Sequence, residues 1–342
     1  MEKVQKIFLV LLVMSMALLF SVTTQAAEEK PKKEVTFITG NFGSVAFLVA
    51  QQFAMEVNRS HPWLRIKVKE GKPSNIHELA NKPEIRKDTF VMSATFTNWM
   101  ANKGLPPSKA PYHTGKALTS CAGILAVPIF TNKQEIKTLH DLKGRRVNLW
   151  TKGSQGEMTF TALLKHIGIY DTVKGDYNPF EPAVDGMVDN LIDATVGYAA
   201  LVGTNPNKFS PVPSFIRMFE SRKIWVVDIP AELQKEASKA TGVPISPIKI
   251  PAGSITKDIP DRDITTFPAI IWMYADETFP EELAYEVCKQ FAKHMDALRK
   301  TSPAAAALSV EKMATSDIGP EAYHPGALRF FKENNIKVEM GE

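Results

Sequence analysis

Cysteine is scarce in this chain: two among 342 residues, Cys121 and Cys288. Both adjoin apolar stretches, so two buried thiols are expected, with one bridge as the alternative. None of the seven histidines stands in metal-ligand spacing with a cysteine or another histidine, so neither a metal nor a cofactor is expected. Blocks of one charge sign are missing as well. The 41 basic and 37 acidic residues are interspersed, which argues against nucleic acid or a polybasic membrane contact. Beyond the first 26 residues the longest apolar run is 269–275, too short to cross a bilayer. No Gly-x-Ser-x-Gly elbow and no Walker-type loop occurs. No catalytic motif is therefore read from spacing, although a triad assembled from distant residues stays open at this level.

What is present begins with an export signal. Lys3 and Lys6 precede an apolar run over 7–20, and Thr24-Gln25-Ala26 fits a small-x-small cleavage site. A signal peptide over 1–26, cut near Ala26, is expected, with an uncleaved anchor as the alternative. No cysteine follows the apolar run, so a lipoprotein anchor is not available. Loss of Glu2, Lys3 and Lys6 takes the formal charge from +4 to +3. The remaining 316 or so residues are too many for one small core and suit two lobes.

Two stretches echo each other. VTFITGNFGSVAFLVAQQFAMEVN, 35–58, and RRVNLWTKGSQGEMTFTALLKHIG, 145–168, each read as apolar strand, polar glycine turn and amphipathic helix. Such a turn aims helix-start N–H groups at whatever lies before the sheet edge. Strand-like and helix-like segments alternate along the rest of the chain, which predicts an α/β fold with mostly parallel sheets flanked by helices. Segment 280–300 reads as the longest amphipathic helix. Ligands in such folds bind outside the carboxyl ends of strands.

That rule nominates residues. In the first turn these are Thr39, Gly40, Asn41, Phe42, Gly43 and Ser44, with Ser44 as an N-cap and Asn41 as a possible turn-former. Phe42 is expected to face a cleft and Phe47 to pack in the core. Ser93 and Thr95 close a third strand, 89–93, and should face the same space. In the second turn, Lys152, Gly153, Ser154, Gln155 and Gly156 combine close backbone approach, adjustable hydrogen bonds and one cation for a carboxylate. Ser154-x-x-Glu157 is also a capping box, which explains both residues structurally and sets Glu157 against an anionic ligand.

Several segments, taken in order, resemble one family. They are LHDLKGRRVNLWTKGSQGE at 139–157, IPAGS at 250–254, FPEELAYEVCKQFAKHMDALRKTSPAAAALS at 279–309 and YHPGALRFFKEN at 323–334. Together they resemble the extracytoplasmic solute-binding subunits of TRAP transporters of the TAXI type, across 35–335. The resemblance implies a two-lobed periplasmic-binding-protein fold, type II-like, with an interlobe ligand cleft. Lobe 1 is expected over 34–127 and 245–342, and lobe 2 over 128–244. The resemblance further implies a periplasmic protein without catalysis, which captures a small carboxylate-bearing metabolite by lobe closure. The ligand would be a small organic acid or amino acid, and the partner a membrane permease driven by an ion gradient. The alternatives are an ATP-driven importer of the sulfonate or pyrimidine type, or a sensor subunit for a membrane kinase.

The family also lines its pocket near Gly197 and Tyr198; Tyr198 is equally readable as an interlobe core residue. The chain departs from the family pattern Thr-Gly-Gly-x-Gly-Gly-Thr-Tyr-Tyr at 39–47. It reads Thr-Gly-Asn-Phe-Gly-Ser-Val-Ala-Phe there, so Asn41 and Phe42 mark where its ligand is expected to differ.

Overall fold

The computed structural model describes residues 30–40, 42, 44–72, 74–202, 205, 207–301, 305–314 and 320–338. The expected signal peptide, 1–26, and two nominated site residues, Asn41 and Gly43, lie outside the described residues.

The chain opens with three strand–helix units. β1 (Lys33–Ile38) leads to α1 (Val45–Ser60), β2 (Leu64–Lys69) to α2 (Ile76–Asn81), and β3 (Thr89–Ala94) directly to α3 (Thr95–Asn102). A long strand β4 (Gly115–Val127) and the short β5 (Ile129–Thr131) follow. Next come β6 (Arg146–Asn148), α4 (Gln155–His166), β7 (Lys174–Asp176), α5 (Phe180–Val188), β8 (Ala194–Val196), β9 (Ala199–Leu201) and β10 (Phe209–Pro211). α6 (Ile216–Ser221), β11 (Trp225–Val227), α7 (Ala231–Thr241) and β12 (Ile248–Ile250) lead to the second long strand, β13 (Ile264–Asp276). α8 (Glu281–Lys293), α9 (Met295–Arg299) and α10 (Pro325–Glu333) complete the chain.

Two sheets result. The larger has the order β10-β9-β4-β13-β3-β1-β2, with β12 added beside β13; the smaller has β11-β5-β8-β6-β7. Both are mixed, which corrects the expectation of mostly parallel sheets. Among the strands of the described residues, only the pairs β1–β2, β1–β3, β6–β7 and β6–β8 are parallel. The pairs of β13 with β3, β4 and β12, of β9 with β4 and β10, and of β5 with β8 and β11 are all antiparallel. The reason is the route of the chain. It leaves the large sheet along β4 and returns along β13, so the outgoing and returning strands lie side by side in opposite directions.

β4 and β13 each run 13 residues, about twice a common strand length. Their pairing stretches from Phe267↔Val127 to Asp276↔Gly115, with irregularities between Ile270 and Trp272 and between Met273 and Tyr274. One end of the pair, with Ala117, Leu118, Cys121 and Trp272 to Ala275, is buried in a first core with β1, α1 and α8. The other end, with Val127, Phe267 and Ala269, is buried in a second core with α4, β6 and β8. The two strands thus run through both cores.

Local sequence explains the elements. α1 buries Val49, Ala50, Phe53, Ala54 and Val57 on one stripe and is capped by Ser44. Phe37 of β1 stacks on Phe90 of β3 at 4.3 Å and meets Phe53 edge-on at 6.5 Å. Full burial of each such side chain is worth about 1.5–3 kcal/mol. The helix expected over 280–300 is divided at His294, and α1 is longer. Beyond that break Met295 and Leu298 are buried in the first core. Cys121 and Cys288 are both free and buried in that core. Their sulfurs face different backbone carbonyls, Ile271 and Leu118, and burial pushes both thiols up.

Candidate functional site

The first turn follows β1. Thr39 is buried, and its hydroxyl donates to the Ala46 carbonyl at 2.9 Å with Met92 Sδ at 3.2 Å. Ser44 Oγ accepts from Phe47 N, as the N-cap role requires. Gly40 O lies 3.4 Å from Gly71 N. Phe42 N donates to Glu70 Oε1 at 2.9 Å. The Phe42 ring is 79 % exposed and lies 5.3 Å from Phe47, which is half-buried rather than in the core.

Asn75, which the sequence did not single out, fastens this turn. Its Nδ2 donates to Thr39 O and Met92 O, and its Oδ1 accepts from Lys72 N. Gly71 is needed for that contact, because a Cβ there would stand 2.3 Å from Asn75 Oδ1 and 2.5 Å from Thr39 O.

The second turn is more enclosed. Gly153 takes a positive φ, +76°, which favours glycine. Ser154 is buried and accepts from Glu157 N, while Glu157 Oε2 accepts from Gly153 N at 3.0 Å. Ser154 N itself bonds Thr151 O. The Gly156 N–H faces the Tyr198 hydroxyl, and a Cβ on Gly156 would meet Val196 at 3.1 Å and Tyr198 Oη at 3.3 Å. Most helix-start donors here are therefore engaged within the chain. Gln155 reaches the other way: its Nε2 donates to Pro268 O of β13 at 2.8 Å. Lys152 is exposed, with Nζ 4.4 Å over the Tyr177 ring.

Tyr198 stands in an aromatic wall behind this turn. It meets Trp150 and Phe180 edge-on at 5.9 and 5.4 Å, and those two rings stack at 3.4 Å. Burial pushes the Tyr198 phenol up, partly offset by the Gly156 N–H, so the hydroxyl keeps its proton. Trp150 has φ +77°, an uncommon backbone for a bulky side chain and one that tends to occur near functional sites. Neither Trp150 nor Phe180 was nominated. The signal for Trp150 was its place at a strand end just before Lys152-Gly153, where β6 stops at Asn148.

At the end of β3, Ser93 is buried and its hydroxyl pairs with Thr97 Oγ1 at 2.6 Å, while Ile76 N donates to it. Thr95 differs, because its Oγ1 is buried without a partner. α3 carries the link between the cores. Phe96 and Met100 share an apolar cluster with Ala162 of α4 and Val243, and Trp99 and Met158 pack against it. Asn75 ties Thr39 to the end of β3; the α3–α4 cluster and the Gln155–Pro268 bond bring Thr95 and Gln155 to the same crossing strand. Among the described residues no group of acidic, histidine and cysteine side chains has metal-binding geometry, and no helix is long and apolar enough to cross a membrane.

A family profile described as NMT1-like matches residues 38–334, and the chain belongs to that family. No curated protein sequence matches the chain. Among solved structures, MatC (Rpa3494) from Rhodopseudomonas palustris with bound malate is 14% identical. That match covers 90% of this chain and 97% of that one, with a TM-score of 0.51. A structure described as a periplasmic transporter is 15% identical, covers 91% of this chain and 100% of that one, and has a TM-score of 0.50. At these identities the likeness is one of fold, the two-lobed α/β fold of periplasmic binding proteins.

Proposed function

Starting from membership of the NMT1-like family and the two-lobed fold, we propose that this protein is a periplasmic solute-binding protein. It holds a small carboxylate-bearing metabolite between its lobes, without chemical turnover, and delivers it to a TRAP-type permease. The TAXI-type assignment rests on the family-like segments at 139–157, 250–254, 279–309 and 323–334.

The observation that carries the reading is the crossing strand β13. It runs through both cores, Gln155 of α4 bonds it at Pro268, and α3 starts beside its partner strand β3. Two helix starts with partial positive charge thus lie at one strand, one from each core. The proposed lobes are 34–127 with 245–342, and 128–244. β9 and β10 extend the larger sheet, yet Ala199, Leu201 and Phe209 pack with Phe130 and Val226 of the smaller one, which supports placing them in lobe 2. The return crossing also rests on that lobe through Ile250, Ile255 and Ile259. Closure about β4 and β13 lets a ligand touch both lobes; whatever closure costs is subtracted from affinity.

The test is a thermal-shift and calorimetric screen of the purified, exported protein against organic acids and amino acids, malate among them. Native mass spectrometry of the same preparation identifies anything retained. Saturable binding of at least one carboxylate is expected. Failure across the whole panel sinks the ligand class. Co-purification with a multi-span permease, rather than an ATPase-containing complex, checks the transport partner.

A further inference from the structure

The apolar cluster between α3 and α4 gives way to unpaired oxygen atoms. On α4, Gln155, Met158, Thr159 and Ala162 fall at i, i+3, i+4 and i+7, one face of the helix. Met158 and Ala162 lie in or against the cluster that holds Phe96 and Met100 of α3. The other two members of the face are polar, and Gln155 Oε1 and Thr159 Oγ1 are both buried without a partner. Thr159 is only 1 % exposed. On α3, Thr95 lies one turn before Trp99, which packs against the same cluster, and its Oγ1 is also buried and unpaired.

Thr95 and Gln155 flank one strand as well. Ala94, just before Thr95, pairs with Ile271 of β13, and Gln155 bonds Pro268 three residues along. At about 3.3 Å per residue the separation along the strand is about 10 Å. Buried polar atoms are normally bonded, so each of these three oxygens, on two helices that share one apolar cluster, needs a partner that the described residues of the chain do not supply. The chemistry of one member is fixed. A carbonyl can only accept, so the Gln155 amide must turn Nε2 to Pro268 O, and Oε1 is left as an acceptor that needs a donor. The two threonine hydroxyls can donate or accept.

Resting on the small-acid reading above, we propose that Thr95, Gln155 and Thr159 recognise a hydrogen-bond donor on the ligand, so that the protein selects hydroxy- or amino-carboxylates over unsubstituted acids. Thr159 is then a specificity residue outside the glycine-turn motif. Through Pro268, the side chain that recognises the ligand also holds the crossing strand.

The test is isothermal titration of the purified exported protein with matched acids of equal carbon length. The sets are lactate, alanine and propionate; malate, aspartate and succinate; 2-hydroxyglutarate, glutamate and glutarate. In at least one set a substituted acid should bind about tenfold or more tighter than its unsubstituted partner. Gln155→Leu and Thr159→Val should each reduce that ratio to within about threefold. Thr159→Val should also raise the melting temperature of the ligand-free protein, because a methyl replaces an unpaired buried hydroxyl. Loss of discrimination with a gain in stability is a pairing that a purely structural threonine does not produce. Equal binding within every set, or a ratio that survives either variant, overturns this inference and leaves the small-acid reading standing. Binding of no acid in any set overturns both.

Discussion

The two glycine turns look alike in sequence and differ in the fold. The first is open: Phe42 is 79 % exposed, and Phe47 beside it is half-buried. The second is closed in by Tyr198, Trp150 and Phe180, and its donors are bonded to Glu157, Thr151 and Ser154. A repeated strand–turn–helix unit thus has two uses. The second turn is a wall whose backbone donors are mostly bonded within the chain, leaving Gln155 Oε1 as its unpaired group. The first presents side chains to whatever approaches, and substitutions there should be felt in binding before they are felt in folding.

The largest expected effects separate these roles. Trp150→Ala removes the ring stacked on Phe180 and should lower the unfolding free energy by about 3 kcal/mol, read by chemical denaturation. Phe42→Ala should leave that free energy within about 0.5 kcal/mol of wild type while weakening ligand binding by titration. Comparable losses of stability at both positions would erase the distinction between wall and open turn.

A second contrast involves acid. His77 on α2 is 3 % exposed, its Nδ1 is 2.7 Å from Ser108 Oγ, and burial lowers its pKa to about 4. Burial is also the main cause of lowered pKa values at His294, beside Ser60 of α1, and at His324, which meets the carbonyl of Phe279 in the first core. A folded pKa below the unfolded one means that stability is fully present above the unfolded value of 6.5. It is lost as pH falls from there toward 4. For His77 alone the loss amounts to about 3 kcal/mol. His77→Gln should flatten the fall in melting temperature over that range. An unchanged pH profile would mean that His77 does not set the acid sensitivity of the first core.

The smallest effects test where the turns agree. Ser44 and Ser154 cap their helices in the same way, so Ser44→Ala and Ser154→Ala should each cost about 1 kcal/mol by denaturation. A much larger cost at Ser154 would show that its burial, rather than its cap bond, dominates.

Much of the fold was legible because it rests on local periodicity. Phe160, Leu163 and Leu164 of α4 and Val49 and Phe53 of α1 recur at helical spacing and are buried, although Leu48 at the same spacing is exposed. The break at His294 and the antiparallel run of β13 beside β4 were not legible. Each depends on which distant segment supplies a partner, and no short window of sequence carries that. The site divided similarly. The two caps were readable, while Asn75 and Thr159 were not, and Trp150 was marked by nothing but its place at a strand end. Asn75 matters for backbone groups 36 and 17 positions away. Trp150 matters for a ring stack with Phe180, and Thr159 for a polar atom on an otherwise apolar contact face.

By itself the sequence determined where the helices after the two turns begin, since a serine cap needs only the N–H three residues ahead. Tertiary structure decided which polar groups those turns leave to a ligand. Glu70, 28 positions from Phe42, engages one donor, and Tyr198 closes over another. Pro268, 113 positions from Gln155, turns that side chain so that its oxygen is left over. Capping is a contact between near neighbours along the chain, whereas the pairing of buried donors and acceptors is settled only when distant strands are brought together.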